Sequence, residues 1–194
     1  MSESTVTKKA IANGLKSLME KKAFEKITIA DITSLCGFNR QTFYYHFQDK
    51  YELINWIFYN EVITPLIDRL TFENWSEKIL QMLNTIKSDS KFYSNALNTE
   101  YGNEFRDYLF NITTRVFNGI IDAVTEDYFL EKADKKFLSE FYAYGVAGTI
   151  IKWVTTGMKE SPENIVLYMK HLVNDSKAFA VSRYMKDAEN KDTV

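Results

Sequence analysis

The residues with the clearest chemistry lie between positions 39 and 50, where the sequence reads NRQTFYYHFQDK. An arginine and a glutamine stand side by side here, and each can form two hydrogen bonds to the edge of one base. Hydroxyl, imidazole and ammonium groups follow, and such groups bind phosphate oxygens. Together these residue types favour contact with DNA. The predicted contact residues are Thr28, Arg40, Gln41, Thr42, Tyr44, His46 and Lys50.

The stretch before these residues contains the signals that begin and end a short helix. Thr28 and Asp31 are three residues apart, which is the spacing of a capping box. Gly37 follows and suits the left-handed residue that commonly closes a helix. We therefore predict a helix of about two turns between Thr28 and Gly37.

A second short helix is predicted directly after the first. Asn39 is a favourable N-cap for a helix from Arg40 to about His46. Phe43 and Phe47 lie four residues apart, so they share one face and can anchor this helix. Two short helices joined by a tight turn and backed by a longer one form a helix-turn-helix, whose second helix enters the major groove.

The longer supporting helix is predicted at the start of the chain. Ile11 and Leu15 recur at helical spacing, and Ser4 or Thr5 is available as the N-cap. Lys16 belongs to the same helix and is expected to be solvated rather than bound to DNA.

At these residues the sequence resembles the TetR family of bacterial transcriptional regulators. Two positions depart from the family pattern, since Asn39 replaces the usual Ser or Thr cap and Thr33 stands where a small alanine is common. The resemblance implies a dimeric regulator that usually represses, and it leaves the operator open because Arg40 and Gln41 occupy variable reading positions. The residues that match are Thr28, Ile32, Gly37, Asn39, Thr42, Phe43, Tyr44, His46, Phe47, Lys50 and Leu53.

A second resemblance is carried by residues 143–165, which read AYGVAGTIIKWVTTGMKESPENI. This segment is similar to a subgroup of Gram-positive regulators that includes the activator of dihydroxyacetone kinase operons. The similarity says little about a ligand.

The rest of the chain has helical apolar spacing almost throughout. Asp49 with Glu52 begins a fourth helix, which can bend at Pro65. The sequence has only seven Gly and two Pro, so a turn-rich sheet protein is disfavoured. This predicts an all-α fold of about nine helices, with a DNA-binding domain at 4–64 and a ligand-binding and dimerisation domain at 65–194. Later helices are predicted near 74–87, 89–98, 103–127, 134–157 and 162–184.

The helix predicted near 134–157 carries a long apolar stripe. The family resemblance implies that the last two helices pair with their copies in a homodimer. Gly145 and Gly148 lie three apart in the middle of the helix that carries the stripe. Each glycine costs about 1 kcal/mol in helix propensity, so a close helix contact has to offset it. Gly157 can end the first of these helices and Ser161 can cap the second. The predicted dimer residues are Phe137, Phe141, Tyr144, Gly145, Gly148, Ile151, Ile165, Tyr168 and Leu172.

Composition restricts the remaining function classes. One cysteine and two histidines in 194 residues disfavour a disulfide or a metal site, and no catalytic motif is present, so we predict neither cofactor nor enzymatic activity. The net charge is −2, but residues 1–55 carry eight basic and six acidic residues (+2), while the remainder carries sixteen and twenty (−4). No signal peptide or membrane-spanning run is seen, so a cytoplasmic protein is expected.

These features together predict a homodimeric, ligand-responsive repressor that binds a near-palindromic double-stranded operator. A small-molecule effector of unknown identity is expected among the middle helices, although the same aromatic residues could fill an ordinary core. The alternative is a coactivator or interaction module that works through a second protein. The candidate pocket residues are Trp75, Tyr101, Phe105 and Tyr108.

Overall fold

The computed structural model describes residues 3–71, 73–98, 102–124 and 131–175. Over these ranges the chain forms nine helices and no strand, so the all-α prediction is confirmed. The helices are α1 (Glu3–Met19), α2 (Ile29–Cys36), α3 (Arg40–His46), α4 (Lys50–Phe58, continued by a π-helical turn at Tyr59–Ile63 and by Thr64–Ile67), α5 (Trp75–Ser88), α6 (Ser90–Leu97), α7 (Gly102–Val124), α8 (Lys132–Thr155) and α9 (162–175).

The first three helices and the start of α4 form a small unit, residues 3–58, which we call the head. Its core is fully buried and combines Ile11 and Leu15 of α1 with Phe43 of α3 and Leu53 of α4. One cap prediction was wrong: α1 already begins at Glu3, so Ser4 and Thr5 lie inside the helix.

Helix α4 leaves the head and continues toward the described residues between 64 and 175, which we call the body. The predicted bend near Pro65 takes the form of a π-helical turn directly before it, at Tyr59–Ile63. Pro65 has no N–H to donate to the carbonyl four residues back. The Thr64 main-chain N–H reaches the Tyr59 carbonyl five residues back, and the Thr64 hydroxyl donates to the same oxygen at 2.9 Å. The wider turn thus accommodates the proline without ending the helix.

The body is built around the antiparallel pair α7 and α8. Phe110 stacks on Tyr144 with ring centroids 4.6 Å apart, and Phe117 stacks on Tyr142 at 5.8 Å. Helix α8 ends at Thr155, and Gly157 adopts a φ of 90° in the turn that follows. The last helix starts after Ser161, whose hydroxyl accepts the Asn164 N–H, as predicted. No helix in the described ranges is long and apolar enough to cross a membrane.

Head and body are joined through Lys16, which the structure places between two carboxylates rather than in solvent. Its ammonium lies 2.8 Å from Glu61 of the π-helical turn and 2.6 Å from Asp89 between α5 and α6. Burial lowers the pKa of Lys16, but the hydrogen bonds to Asp89 and Glu61 outweigh burial and leave this pKa raised. The expectation that Lys16 is solvated was therefore wrong, because its partners lie 45 and 73 residues further along the chain.

Candidate nucleic-acid interface

The capping box predicted at the start of α2 is present. The Asp31 N–H donates to the Thr28 hydroxyl oxygen at 3.1 Å, and the Asp31 carboxylate accepts the Thr28 N–H at 2.9 Å. The same carboxylate pairs with Lys22 at 3.0 Å. The Thr28 N–H and the Lys22 ammonium lower the pKa of Asp31 from 3.8 to about 2. The exposed Thr28 side chain is thereby fixed at the N-terminal end of α2.

The turn between α2 and α3 also follows the sequence signals. Gly37 has a φ of 70°, in the left-handed region, and closes α2. Asn39 then caps α3 by accepting the Thr42 N–H at 2.8 Å. The Thr42 hydroxyl donates to the same Asn39 oxygen at 3.0 Å, so its proton is directed into the cap and not toward a phosphate.

Two rings hold α3 on the head. Phe43 is 0% exposed and Phe47 is 2% exposed, and Phe47 makes an edge contact with Trp56 at 5.8 Å between centroids. The predicted anchoring role of these phenylalanines is confirmed. Thr33 is also buried, and its hydroxyl donates to the Ile29 carbonyl at 3.0 Å, so the threonine fits where the family commonly has alanine.

The outer face of α3 presents most of the predicted contact residues together. Arg40 and Gln41 are exposed at its first two positions, and Tyr44 is 56% exposed one turn later. His46 is half-buried at the last position. One helix therefore displays a guanidinium, an amide, a phenol and an imidazole, which is the chemistry that base edges and phosphates require.

Lys50 has a different role from the predicted phosphate contact. Its ammonium donates to three main-chain carbonyls, of Phe24 at 2.9 Å, Glu25 at 3.2 Å and Ile27 at 2.9 Å. It also lies 4.5 Å from the centre of the Phe24 ring. Burial lowers the pKa of Lys50 against the attraction of Glu25. All three ammonium protons are used, so Lys50 ties the start of α4 to the turn that precedes α2.

Tyr45 is a candidate that the sequence reasoning missed. The structure exposes 81% of this side chain on the outside of α3. Its ring makes an edge contact with His46 at 4.9 Å between centroids. The signal that could have found it is angular: residue 45 lies two positions after the buried Phe43, about 200° around the helix.

The predicted dimer face is largely exposed in the single chain. Phe137 is 66% exposed, Phe141 is 63% exposed and Leu172 is 68% exposed. Two residues are corrected: Ile151 at 8% and Ile165 at 6% exposure belong to the core. Both isoleucines belong to the same buried cluster. The predicted residues that remain exposed or half-buried are Phe137, Phe141, Tyr144, Gly145, Gly148, Tyr168 and Leu172.

Two of the predicted pocket residues, Phe105 and Tyr108, pack against each other in the body. Phe105 is fully buried and packs on Phe58 of α4 at 5.8 Å and on Tyr108 at 6.4 Å, so it fills the core of the body. Trp75 is half-buried at the start of α5, and Tyr101 lies outside the described residues. No group of three or more potential metal ligands occurs among the described residues.

Comparison with known proteins gives the class that this fold and this interface define. The family "Bacterial regulatory proteins, tetR family" matches residues 11–57, which contain α2 and α3. The family "Transcriptional regulator C-terminal region" matches residues 73–175, the greater part of the body. The chain belongs to the TetR family of transcriptional regulators and has a DNA-binding helix-turn-helix.

Individual relatives place the chain within that family. It is 34% identical over 93 residues to the HTH-type dhaKLM operon transcriptional activator DhaS of Lactococcus lactis subsp. lactis (strain IL1403), covering 48% of this chain and 50% of the relative. The alignment thus spans about half the length of that relative.

Solved structures share the fold over nearly the whole chain. The dihydroxyacetone kinase operon activator DhaS superimposes with a TM-score of 0.71 at 23% identity, covering 89% of this chain and 96% of that one. A TetR-family regulator from Syntrophomonas wolfei gives a TM-score of 0.60 at 17% identity, with coverages of 91% and 96%. NalD of Pseudomonas aeruginosa, the secondary repressor of a multidrug efflux pump, gives a TM-score of 0.56 at 15% identity, covering 90% of this chain and 95% of that one.

Proposed function

We propose that the chain is a homodimeric repressor that reads a near-palindromic operator through α3 and releases it when a small molecule binds the body. The observation that carries the proposal is the two-sided character of α3. Its inner face is fixed by Phe43 and Phe47, while Arg40, Gln41 and Tyr44 point outward. A short helix held this firmly can present side chains to a groove without first having to order them.

The homodimer is supported by the exposed rings of α8. A pair of large aromatic side chains with more than 60% exposure is a feature that isolated surfaces rarely carry and interfaces commonly do. Gly145 and Gly148 lie on the same helix, and a Cβ atom at either glycine would meet nothing within 4 Å among the described residues. A second copy can therefore approach this helix closely. Two heads on one dimer then match two half-sites on one face of the duplex.

An effector is supported by buried polar groups in the body. The Tyr93 hydroxyl and the Arg106 Nε have no hydrogen-bond partner among the described residues. An unpaired buried group costs about 1–3 kcal/mol, so a ligand that bonds it recovers part of that cost. The Tyr93 ring also contacts Phe58, at the end of the regular part of α4, with centroids 6.4 Å apart. A ligand beside Tyr93 would thus adjoin the helix that carries the head.

The operator proposal is tested by selecting duplexes from a randomised DNA library with the wild-type protein. We expect an enriched near-palindrome. Arg40→Ala and Gln41→Ala should each weaken binding to it by about 1–3 kcal/mol and relax the preference at one base position per half-site. Arg115→Ala, at an exposed position of α7, removes the same charge far along the chain and should have no effect. Enrichment of no sequence would contradict the proposal and support the alternative, a module that acts through a second protein.

Signal transmission through α4 is tested at Pro65. The π-helical turn before it lies between the head and the body, so we expect it to pass the ligand state from one to the other. Pro65→Ala restores the missing main-chain N–H and allows a regular helix. The effector should then release the operator less well, as measured by fluorescence polarisation with and without effector. An unchanged response would show that α4 does not transmit the signal through this turn.

Activation is the second candidate outcome, and one observation favours it. The relative with 34% identity is described as a transcriptional activator. A reporter gene placed behind the selected operator separates the two outcomes, because deletion of a repressor raises expression and deletion of an activator lowers it. Arg40→Ala should shift the reporter in the same direction as the deletion in either case.

A further inference from the structure

The geometry of α3 singles out Tyr45 among its exposed residues. An α-helix turns by about 100° per residue, so Tyr45 lies about 160° from Phe43, the residue that marks the inward direction. It therefore points almost directly away from the head. Gln41, one turn earlier, lies only about 40° from it on the same side. Tyr44 and His46 flank it at about 100° on either side.

The exposure of Tyr45 agrees with that direction. At 81% it is the most exposed large apolar side chain among the described residues, ahead of Leu172 at 68% and Phe137 at 66%. Its one described ring contact is the edge contact with His46, at an interplanar angle of 79°. That contact limits how far the ring can turn, so the side chain is both exposed and partly oriented.

The recognition helix of a helix-turn-helix lies in the major groove, where residues from its N-terminal part contact base edges. Tyr45 lies one turn after Gln41 and only about 40° from it around the helix, so the two side chains can face base pairs together. A tyrosine ring in that position meets the C5 methyl group of thymine, the apolar feature that the major groove displays.

We propose that Tyr45 is a specificity-determining residue of α3, and that its ring contacts a thymine methyl group in each half-site. This rests on the proposed function, since it requires α3 to lie in the groove of an operator. The contact would select an A·T pair beside the base read by Gln41. A thymine contact also accounts for a large aromatic ring that points outward from a helix whose other exposed side chains include Arg40 and Gln41.

The test uses full-length protein and the duplex that wild type selects from a random library. Each thymine is replaced in turn by deoxyuridine, which removes only the methyl group. For wild type we expect one position per half-site at which the replacement weakens binding about fourfold, the value of one buried methyl group. Tyr45→Ala should bind the unmodified duplex about tenfold more weakly than wild type and should be indifferent to deoxyuridine at that position.

Two further variants separate base contact from other roles. Tyr45→Phe keeps the ring and should keep the sensitivity to deoxyuridine. Leu35→Ala removes another exposed apolar side chain, 56% exposed on neighbouring α2, and should bind and discriminate like wild type. Thermal unfolding should be unchanged in all three variants, because the side chains replaced are exposed.

Each outcome decides between the proposals. If wild type selects an operator but Tyr45→Ala retains the loss on methyl removal, the thymine contact is wrong and the proposed function stands. If Tyr45→Ala weakens every duplex equally and flattens the salt dependence, the residue contacts phosphate instead and the inference is overturned. If wild type selects no sequence, both the inference and the proposed function fail.

Discussion

Two pairs of phenylalanines, one in the head and one in the body, show the same spacing in sequence and opposite surroundings in the fold. Phe43 and Phe47 are four residues apart, have ring centroids 5.8 Å apart and are 0% and 2% exposed. Phe137 and Phe141 are also four apart, with centroids at 6.2 Å, but are 66% and 63% exposed. Helical spacing therefore predicts that two rings share a face, but not what covers that face.

The cause of the difference is how near a partner lies along the chain. The head rings meet α1 and α4, whose core residues Leu15 and Leu53 come from the same short unit. On α8, the neighbouring α7 is engaged by other positions, through Tyr142 and Tyr144. We infer that the face carrying Phe137 is completed by a second copy of the chain.

The largest effect in this comparison is expected from Phe43→Ala. Removal of a fully buried phenylalanine costs about 3–5 kcal/mol through lost burial and the cavity left behind. Because the ring seats α3, operator binding should be lost together with the stability. Urea unfolding followed by circular dichroism measures the stability, and fluorescence polarisation measures operator binding. Tyr45→Ala, at an exposed position of the same helix, is the control for stability and should unfold like wild type. An equal loss of unfolding free energy in both variants would contradict the two-sided description of α3.

The exposed face of α8 that carries Phe137 and Phe141 is tested by Phe141→Glu, which places a charge among its rings. A central interface ring contributes about 2 kcal/mol or more, so the dimer dissociation constant should rise at least about thirtyfold. Sedimentation equilibrium measures that constant. Lys132→Glu introduces an acid at the exposed start of the same helix and should leave it nearly unchanged. A wild-type protein that sediments as a single subunit at micromolar concentration would remove the dimer from the proposal.

The parts of the head that could be predicted from sequence depend on local contacts. The capping box joins Thr28 to Asp31, and Asn39 caps Thr42, so each signal acts within three residues. The left-handed Gly37 is likewise a property of one residue. Such features are readable because side-chain and main-chain groups close in sequence are necessarily close in space.

The parts that could not be predicted depend on residues far apart in sequence. Lys50 meets carbonyls 23 to 26 residues earlier, which no local pattern reveals. Lys16 meets carboxylates 45 and 73 residues later. Ile151 continues the apolar stripe of α8 but is buried in the core cluster. In each case the residue type was compatible with two environments, and only the tertiary fold decided between them.

Glycines extend the comparison between head and body at a smaller scale. A Cβ atom on Gly14 of α1 would lie 2.4 Å from the Cys36 sulfur of α2, so Gly14→Ala should destabilise the head by about 1–3 kcal/mol. Gly145 of α8 has no such neighbour within 4 Å, and Gly145→Ala should stabilise the isolated chain by up to about 1 kcal/mol through helix propensity. Urea unfolding at low protein concentration measures both.

The double variant Gly14→Ala with Cys36→Ala makes the first of these tests specific. It removes the sulfur that the new methyl group would strike, so most of the lost stability should return. If the double variant is no more stable than Gly14→Ala alone, the α1–α2 contact does not cause the loss. Weaker dimerisation of Gly145→Ala would in turn place a second copy against α8.

The smallest effect is expected at the capping box of α2. Thr28→Ala removes a cap worth about 1 kcal/mol, measurable by urea unfolding at pH 7.

The pKa of Asp31 is lowered from 3.8 to about 2 by the Thr28 N–H and the Lys22 ammonium. A lowered carboxyl pKa stabilises the fold above the unfolded value and loses that effect as the pH falls through the folded value. Wild type and Asp31→Asn should therefore differ most above about pH 4 and converge toward pH 2. A difference that persists unchanged at pH 2 would show that the charge of Asp31 does not stabilise the start of α2.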